Sequence, residues 1–432
     1  MSILNRKILL LIIIPLSIFL NGCKEHDEEV LPVEPASELY EKINDIMKEW
    51  YLWNDQLPSL NLSDYKTPQS LMRDLRFKDI DRWSYVEDEK TFDEYYKSGQ
   101  YHGYGFGMKI DPDNNLRVSF VYKDSPMDRV QVTRGYKILK INGKSVADLL
   151  ATNSLGSAWG EDKEGVASTV EVEDLAGQVR QVVVKKEAVK INSVLHSEVK
   201  SLNGKKIGYL VFNNFIDKSV EELNEAFTLF NSENISELIL DLRYNGGGSL
   251  HVAQHLANLI AASKGGSSKF VELTYNEQKK GSNEPYTFKM ESLSLSLDRM
   301  VVITTKGTAS ASEAIINGLR PFLEVVTVGD YTSGKPVGMN VWRVGGYALV
   351  PITFKVANSL GAADYFGGIA PDGATIDDLT ALMGDVEEKC LKESLFYLEN
   401  GVFSSSITRR GELPQPDQQI ELTGFKAEVG AF

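Results

Sequence analysis

The residues of this sequence best suited to chemistry are a serine, Ser310, in the run Gly307-Thr308-Ala309-Ser310-Ala311-Ser312-Glu313, and a lysine, Lys335, in the loop Thr332-Ser333-Gly334-Lys335-Pro336. A serine hydroxyl is a weak nucleophile at neutral pH and needs a neighbouring base. The five histidines, at positions 26, 102, 196, 251 and 255, form no recognisable triad motif. A lysine can take the proton where desolvation lowers its pKa enough to leave a neutral amine. Ser310 is the candidate nucleophile and Lys335 its candidate base. By itself, a serine among Ala, Ser and Thr also fits a plain helix cap.

The elements around the pair would hold it firmly. The apolar, β-branched run Arg299 to Thr305 predicts a buried strand, followed by a small-residue turn and a helix from near Ser310 to Leu319. A second strand, Val325 to Val328, leads into the glycine-flanked loop and carries Lys335 close to the core. Strand and helix alternate throughout this region: strands at Lys206 to Phe212 and Leu238 to Arg243, helices at Val220 to Phe230 and Leu250 to Ala261, and an added hairpin at Phe270 to Tyr275 and Tyr286 to Met290. The alternation predicts an α/β layer structure with a largely parallel sheet, whose active residues gather in loops at strand ends.

Three motifs in order, Asp241-Leu242-Arg243-Tyr244-Asn245-Gly246-Gly247-Gly248, Thr308 to Glu313 with Gly334-Lys335, and Gly368-Ile369-Ala370-Pro371-Asp372, resemble those of the C-terminal processing peptidases of family S41. The resemblance implies a Ser/Lys dyad on a crotonase/ClpP-like catalytic domain. A tetrahedral oxyanion would need donors already in place, for which the backbone N–H of Ala311 and that of Gly247 or Gly248 are the candidates. Ser312 and Glu313 read as helix-entry residues, an acidic side chain being favourable at a helix N-terminus. Many family members carry a glutamine four residues after the lysine, to hold it. Here the position is Met339, with Asn340 or a backbone carbonyl as possible substitutes.

Between Tyr101 and Val189 short alternating runs appear at Gly105 to Ile110, Leu116 to Tyr122, Tyr136 to Ile141, Thr169 to Val172 and Val179 to Val184, with Asn142-Gly143 as a turn. Together with Asp124-Ser125-Pro126 and Ile138 to Val146, the stretch Tyr104-Gly105-Phe106-Gly107-Met108 resembles a PDZ domain. Gly105, Phe106 and Gly107 would then aim backbone N–H groups at a peptide carboxylate while the strand edge pairs with the peptide. A β-sandwich spacer without a ligand has the same pattern. Gly135-Tyr136 departs from the Gly-Asp common before the following strand.

At the start, Arg6 and Lys7 precede the apolar run Ile8 to Leu20, which is too short to span a membrane comfortably. Leu20-Asn21-Gly22-Cys23 resembles a lipobox, which implies lipidation at Cys23 and a membrane anchor, although an ordinary secretory signal would look similar. The polar stretch behind it has the composition of a tether. Cys390 is the only other cysteine, so no intrachain disulfide is possible once Cys23 carries lipid, and Cys390 reads as a buried small residue in a helical segment. A net charge of −14 with scattered acids argues for solubility and against nucleic acid as a partner.

Leu39, Ile43, Ile46, Met47 and Trp50 have helical spacing, with Ser37 placed to cap the helix, and Trp50, Tyr51 and Trp53 read as the core of a small helical region. Asp81-Arg82-Trp83-Ser84-Tyr85 resembles a structural segment of the same peptidases. His251 and His255, four residues apart, could share one helix face as two metal ligands, but no glutamate lies between them and no third ligand is apparent. No metal and no cofactor are expected.

The expected organisation is a signal peptide at 1–22, a tether at 23–36, a helical region at 37–100, a PDZ-like β domain at 101–189, an α/β peptidase domain at 190–400 and a tail at 401–432 with no assigned function. The expected activity is serine endopeptidase action on extracytoplasmic proteins, at the periplasmic or outer surface of a bacterial membrane, probing protein or peptide C-termini. The alternative is a catalytically inactive peptide-binding lipoprotein on the same fold.

Overall fold

The computed structural model describes residues 36–404, 420, 425–430 and 432. The expected signal segment and Cys23 lie outside them. Among the described residues, no helix is long and apolar enough to cross a membrane.

A six-stranded sheet organises the region expected to be α/β. Its strands are β1 (Val194–Leu202), β2 (Lys205–Phe212), β3 (Glu237–Asp241), β4 (Arg299–Thr304), β5 (Glu324–Gly329) and β6 (Gly373–Ala374), and they lie side by side in that order. β1 runs antiparallel to β2, and every later neighbour is parallel. Both faces are covered, so the central strands are apolar throughout rather than alternating with polar residues. On β3, Leu238 and Leu240 face a core shared with α1 (Ser219–Glu233), α2 (Leu250–Gly265) and α3 (Ala311–Leu319), whereas Ile239 faces Cys390, Leu391 and Leu398 of α4 (Lys389–Asn400). The expected elements are present, with β3 ending at Asp241 and α2 continuing to Gly265.

Parallel register makes three loops meet at one edge. Asp241 of β3 stands opposite Ile303 of β4, and Thr304 stands opposite Gly329 of β5. The chain therefore leaves all three strands at one level, where open α/β sheets collect their ligands. An antiparallel sheet of Glu284–Thr287, Lys269–Tyr275, Ile352–Asn358 and Val337–Met339 flanks this edge. The last of these strands follows directly from the Lys335 loop. The predicted hairpin is its first pair, displaced to end at Thr287.

The segment from Phe106 to Lys185 forms a separate antiparallel sheet with its own core, including Tyr104, Phe106, Val118, Ile138 and Trp159. Asn142 and Gly143 both have positive φ, 51° and 81°, as a tight turn between short paired strands requires.

Residues 37–100 depart from a purely helical region. The first helix is Ala36–Trp50, so Ser37 lies inside it rather than capping it. Tyr85–Asp88 is a strand that pairs with Tyr347–Val350, and Gln100–Gly103 pairs with Glu187–Lys190. Asp81 anchors this return, accepting hydrogen bonds from the Tyr51 hydroxyl at 2.7 Å and the Ser84 hydroxyl at 2.5 Å, and Ser84 in turn accepts the Ile352 N–H at 2.9 Å. Its neighbour Arg82 donates to the carbonyl of Ser333, in the lysine loop, at 2.9 Å.

Candidate active site

Ser310 sits at the junction of β4 and α3 with φ 54° and ψ −114°. That conformation is costly for a residue with a Cβ, on the order of 1–3 kcal/mol, and persists only where neighbours enforce it. Asn245, fully buried, is the principal enforcer. Its carbonyl accepts the Ala309 N–H at 3.1 Å and the Ser312 hydroxyl at 3.0 Å, while its side-chain amide donates to the Phe212 carbonyl at 3.0 Å. Thr308 adds a hydroxyl bond to the Leu242 carbonyl at 2.8 Å. The glycine motif and the serine motif are thus fastened together by side chains that the two motifs themselves contain.

Glu313 is the helix-entry residue expected, closing a capping box with Ser310, and it has a further role besides. It is fully buried, and one carboxylate oxygen accepts the N–H of Ser310 at 2.9 Å and that of Lys335 at 2.8 Å. The other accepts the Thr332 hydroxyl at 2.5 Å and the Gly334 N–H at 2.7 Å. One side chain therefore fixes the serine backbone relative to the lysine loop. Burial pushes its carboxyl above the ordinary glutamate range, and these four donors act in the opposite direction.

Lys335 is buried, and its Nζ lies 3.9 Å from the Sδ of Met339. The thioether stands at the position where the resemblance implied a lysine-holding glutamine. Asn340, the expected substitute, instead pairs with the Tyr275 hydroxyl at 3.3 Å.

Of the predicted oxyanion donors, Gly247 donates its N–H to Oδ1 of Asn245 at 2.9 Å, which commits it to holding the loop. It also packs so closely that an added Cβ would stand 2.8 Å from Cβ of Ser310 and 3.0 Å from the Ala311 nitrogen. At φ 108° and with that approach, only glycine fits. Gly248, at φ 133°, lines the same cavity as Ser310. Ala311 opens α3, whose first N–H groups have no helical acceptor. Gly248 and Ala311 remain the donor candidates.

Ser310 and Lys335 open into one cavity of about 760 Å³, walled by Trp50, Tyr85, Phe92, His251 and Trp342 among others. Trp50 was expected in a helical core. It instead forms a wall of the cavity and packs on Trp342 with ring centroids 5.7 Å apart. No local signal distinguishes it from Tyr51, which is fully buried.

Behind the glycine motif, Arg243 is buried against Asp241, Asp377 and Glu388, with contacts of 2.7, 2.9 and 2.9 Å. Asp377 also takes Arg134, from the 106–185 sheet, at 2.8 Å and the Tyr244 hydroxyl at 2.5 Å. Burial opposes ionisation of Asp377, but Lys109, Arg134 and Arg243 outweigh it and hold the carboxyl well below the usual carboxylate range.

The two helical histidines do not converge. His255 lies between Glu291 and Asn224, with its Nε2 2.9 Å from the asparagine oxygen, whereas His251 faces the cavity beside Tyr286. Among the described residues, no group of three His, Cys, Asp or Glu is arranged to hold a metal ion. Cys390 is fully buried, donates to the Ile376 carbonyl at 3.3 Å, and has its thiol pushed well up by burial.

Near Tyr104 the amides of Tyr104, Gly105 and Phe106 are directed at a common acceptor. Gly107 is not among them. An added Cβ there would lie 2.3 Å from the Phe120 ring, so this glycine admits the neighbouring strand's aromatic side chain rather than a ligand.

This arrangement, a parallel sheet whose carboxyl-end loops bring a strained serine and a buried lysine to one cavity, defines a mixed α/β protein of the S41 protease fold. Residues 206–374 match the model of peptidase family S41, and residues 38–85 match that of the peptidase S41 N-terminal domain. The chain belongs to peptidase family S41. The carboxy-terminal processing protease CtpA of Bacillus subtilis is 28% identical over 249 residues, 58% of this chain and 50% of that protein. A candidate CtpA-like serine protease of Staphylococcus aureus is 28% identical over 252 residues, covering 58% of this chain and 47% of its own. The chain thus spans about half the length of the curated relatives it matches. Among solved structures, a Bacteroides fragilis chain described as a candidate S41 protease aligns with a TM-score of 0.67 at 24% identity, over 84% of this chain and 98% of its own. The photosystem II D1 C-terminal processing protease aligns at 0.53 and 16% identity, over 84% and 98% of the two chains.

Proposed function

We propose that the chain is a serine endopeptidase working through Ser310 and Lys335. Lys335 acts as the base that takes the Ser310 proton as Oγ bonds to the scissile carbonyl carbon, and the tetrahedral oxyanion is met by the N–H groups of Ala311 and Gly248. As the intermediate collapses, the C–N bond breaks and the lysine returns the proton to the leaving amine. Water, deprotonated by the same lysine, then bonds to the acyl carbon, the C–Oγ ester bond breaks, and the lysine returns the proton to Oγ of Ser310. The observation that carries this reading is Glu313. Its carboxylate binds the backbones of both reacting residues, an investment that a plain helix cap does not need.

The 106–185 sheet is read as a PDZ-like module that receives substrate C-termini at Tyr104, Gly105 and Phe106. Lipid attachment at Cys23 would hold the enzyme at a bacterial membrane, with its substrates among extracytoplasmic proteins. The other reading, a peptide-binding lipoprotein without catalysis, is favoured by one observation, the thioether of Met339 where the resemblance implied a lysine-holding amide.

Incubating an unfolded protein with the parent, Ser310→Ala and Lys335→Ala, and reading the products by mass spectrometry, separates the two. Cleavage by the parent that rises with pH, with a loss of about 10³-fold or more in each variant, is the expected result. An inert parent, or variants that cut equally well, would move the peptide-binding reading ahead.

A further inference from the structure

The acceptor that faces Tyr104, Gly105 and Phe106 belongs to this chain. The oxygen of Phe432 accepts their N–H groups at 3.0, 2.7 and 3.3 Å and the Tyr101 hydroxyl at 3.3 Å, and the Phe432 N–H donates back to the Phe106 carbonyl at 2.7 Å. The reciprocal pair with Phe106 is strand addition. The half-buried Phe432 ring completes the seat, with its centroid 6.4 Å from those of Phe106 and Trp159.

The residues before it are docked as well. In the short helix Phe425–Val429, Phe425 and Val429 are buried, and the Phe425 ring meets Tyr95 edge-on at 5.3 Å. Phe425 also lies 6.3 Å from Tyr85 and from Phe92, two walls of the Ser310 cavity. Lys426 pairs with Asp162 at 2.8 Å, an exposed contact of small weight. A tail with no assigned function thus occupies the peptide seat and touches the outer side of the cavity wall.

We propose that Phe432, with the helix Phe425–Val429, is a resident ligand of the Tyr104–Phe106 groove, and that a peptide must displace it to bind, the fitting competitor being one that sets an aromatic residue where Phe432 lies. This rests on reading the groove as a peptide site, and not on the chemistry of Ser310. A tethered ligand acts at an effective concentration on the order of millimolar, so one whose own affinity is micromolar suppresses a competitor by roughly 10²-fold or more.

The test is fluorescence anisotropy with a labelled octapeptide, Phe-Lys-Ala-Glu-Val-Gly-Ala-Phe. It is titrated into the full chain and into a Phe432→Asp variant. The variant is expected to bind the peptide at least about tenfold more tightly than the full chain does. Equal affinity in both proteins would overturn the resident ligand while leaving the groove as a peptide site. Absence of binding to either protein would remove the groove reading and the proposal together. Hydrogen exchange on the unaltered chain gives a second reading that needs no variant. The amides of Tyr104, Gly105 and Phe106 should exchange slowly before any peptide is added, and rapid exchange there would count against occupancy.

Discussion

The junction around Ser310 and the groove around Gly105 both present backbone N–H groups to a visitor, but they are held in opposite ways. At the first, buried side chains fix the backbone: Asn245 and Glu313 together take up bonds from four loops or strands, and a strained serine conformation is the result. At the second, the donors come from a strand end, and what satisfies them is another stretch of the same chain. A site locked by its own interior is ready before the substrate arrives. One satisfied by a removable segment has its accessibility set by competition.

The largest effect on this contrast should come from Glu313→Gln. The amide keeps one acceptor oxygen and turns an NH2 toward two of the four donors, so the lysine loop loses its hold on the serine turn. We expect peptidase activity to fall by about 10²-fold, as for a displacement near 1 Å, with peptide binding at the groove unchanged. Full activity in this variant would mean that Glu313 is not the fastening it is taken to be. Since the folded carboxyl is raised, its contribution to stability is full below the ordinary glutamate pKa and is lost as pH rises through the folded value. The variant should therefore lose less stability relative to the parent at neutral pH than in mild acid.

Asp377→Asn tests the connection between the two regions. It leaves Arg134 and Arg243 short of a buried counter-charge, and should destabilise the chain by about 3–5 kcal/mol in urea unfolding. Here the folded carboxyl is depressed, so its contribution is present above the usual carboxylate range and disappears as pH falls through the folded value. The gap between parent and variant should accordingly close in acid. A gap that is constant with pH would remove the charge from the explanation.

The smallest change is expected from Met339→Gln. An amide oxygen is a stronger acceptor than the thioether it replaces beside Lys335, and a change in kcat of less than about tenfold, with KM unmoved, is expected for reorienting a base already near its place. If activity instead appeared only in this variant, the parent would be the peptide-binding form.

Most of the α/β sheet was legible because its signals are local: β-branched runs, and turns rich in glycine. Ser310, Lys335 and Gly248 could be singled out as candidates for the same reason, since each lies inside a contiguous motif. What escaped reading depends on distant partners. Glu313 looks like any acid in a first helical turn until the loop at Thr332 to Lys335 is brought against it. Trp50 and Tyr51 are adjacent, yet one faces the cavity and the other the core, a difference set by residues beyond position 270. Gly107 was grouped with ligand-facing glycines because sequence does not show that the Phe120 ring needs its space. The residues from 425 onward, polar in part and short, carry no pattern that announces a docked segment.

The pairing of Tyr85–Asp88 with Tyr347–Val350 bears on when the cavity is completed. Ser84 and Ile352, joined by a hydrogen bond, stand 268 positions apart in the chain. Contacts of such separation form late, because the closure of a long loop must precede them. The Tyr85 side of the cavity therefore cannot be built until residue 350 has emerged and folded back. A nascent chain that stops short of residue 350 carries an unfinished cavity, so under the proposed function the order of assembly postpones any activity until most of the chain has been made.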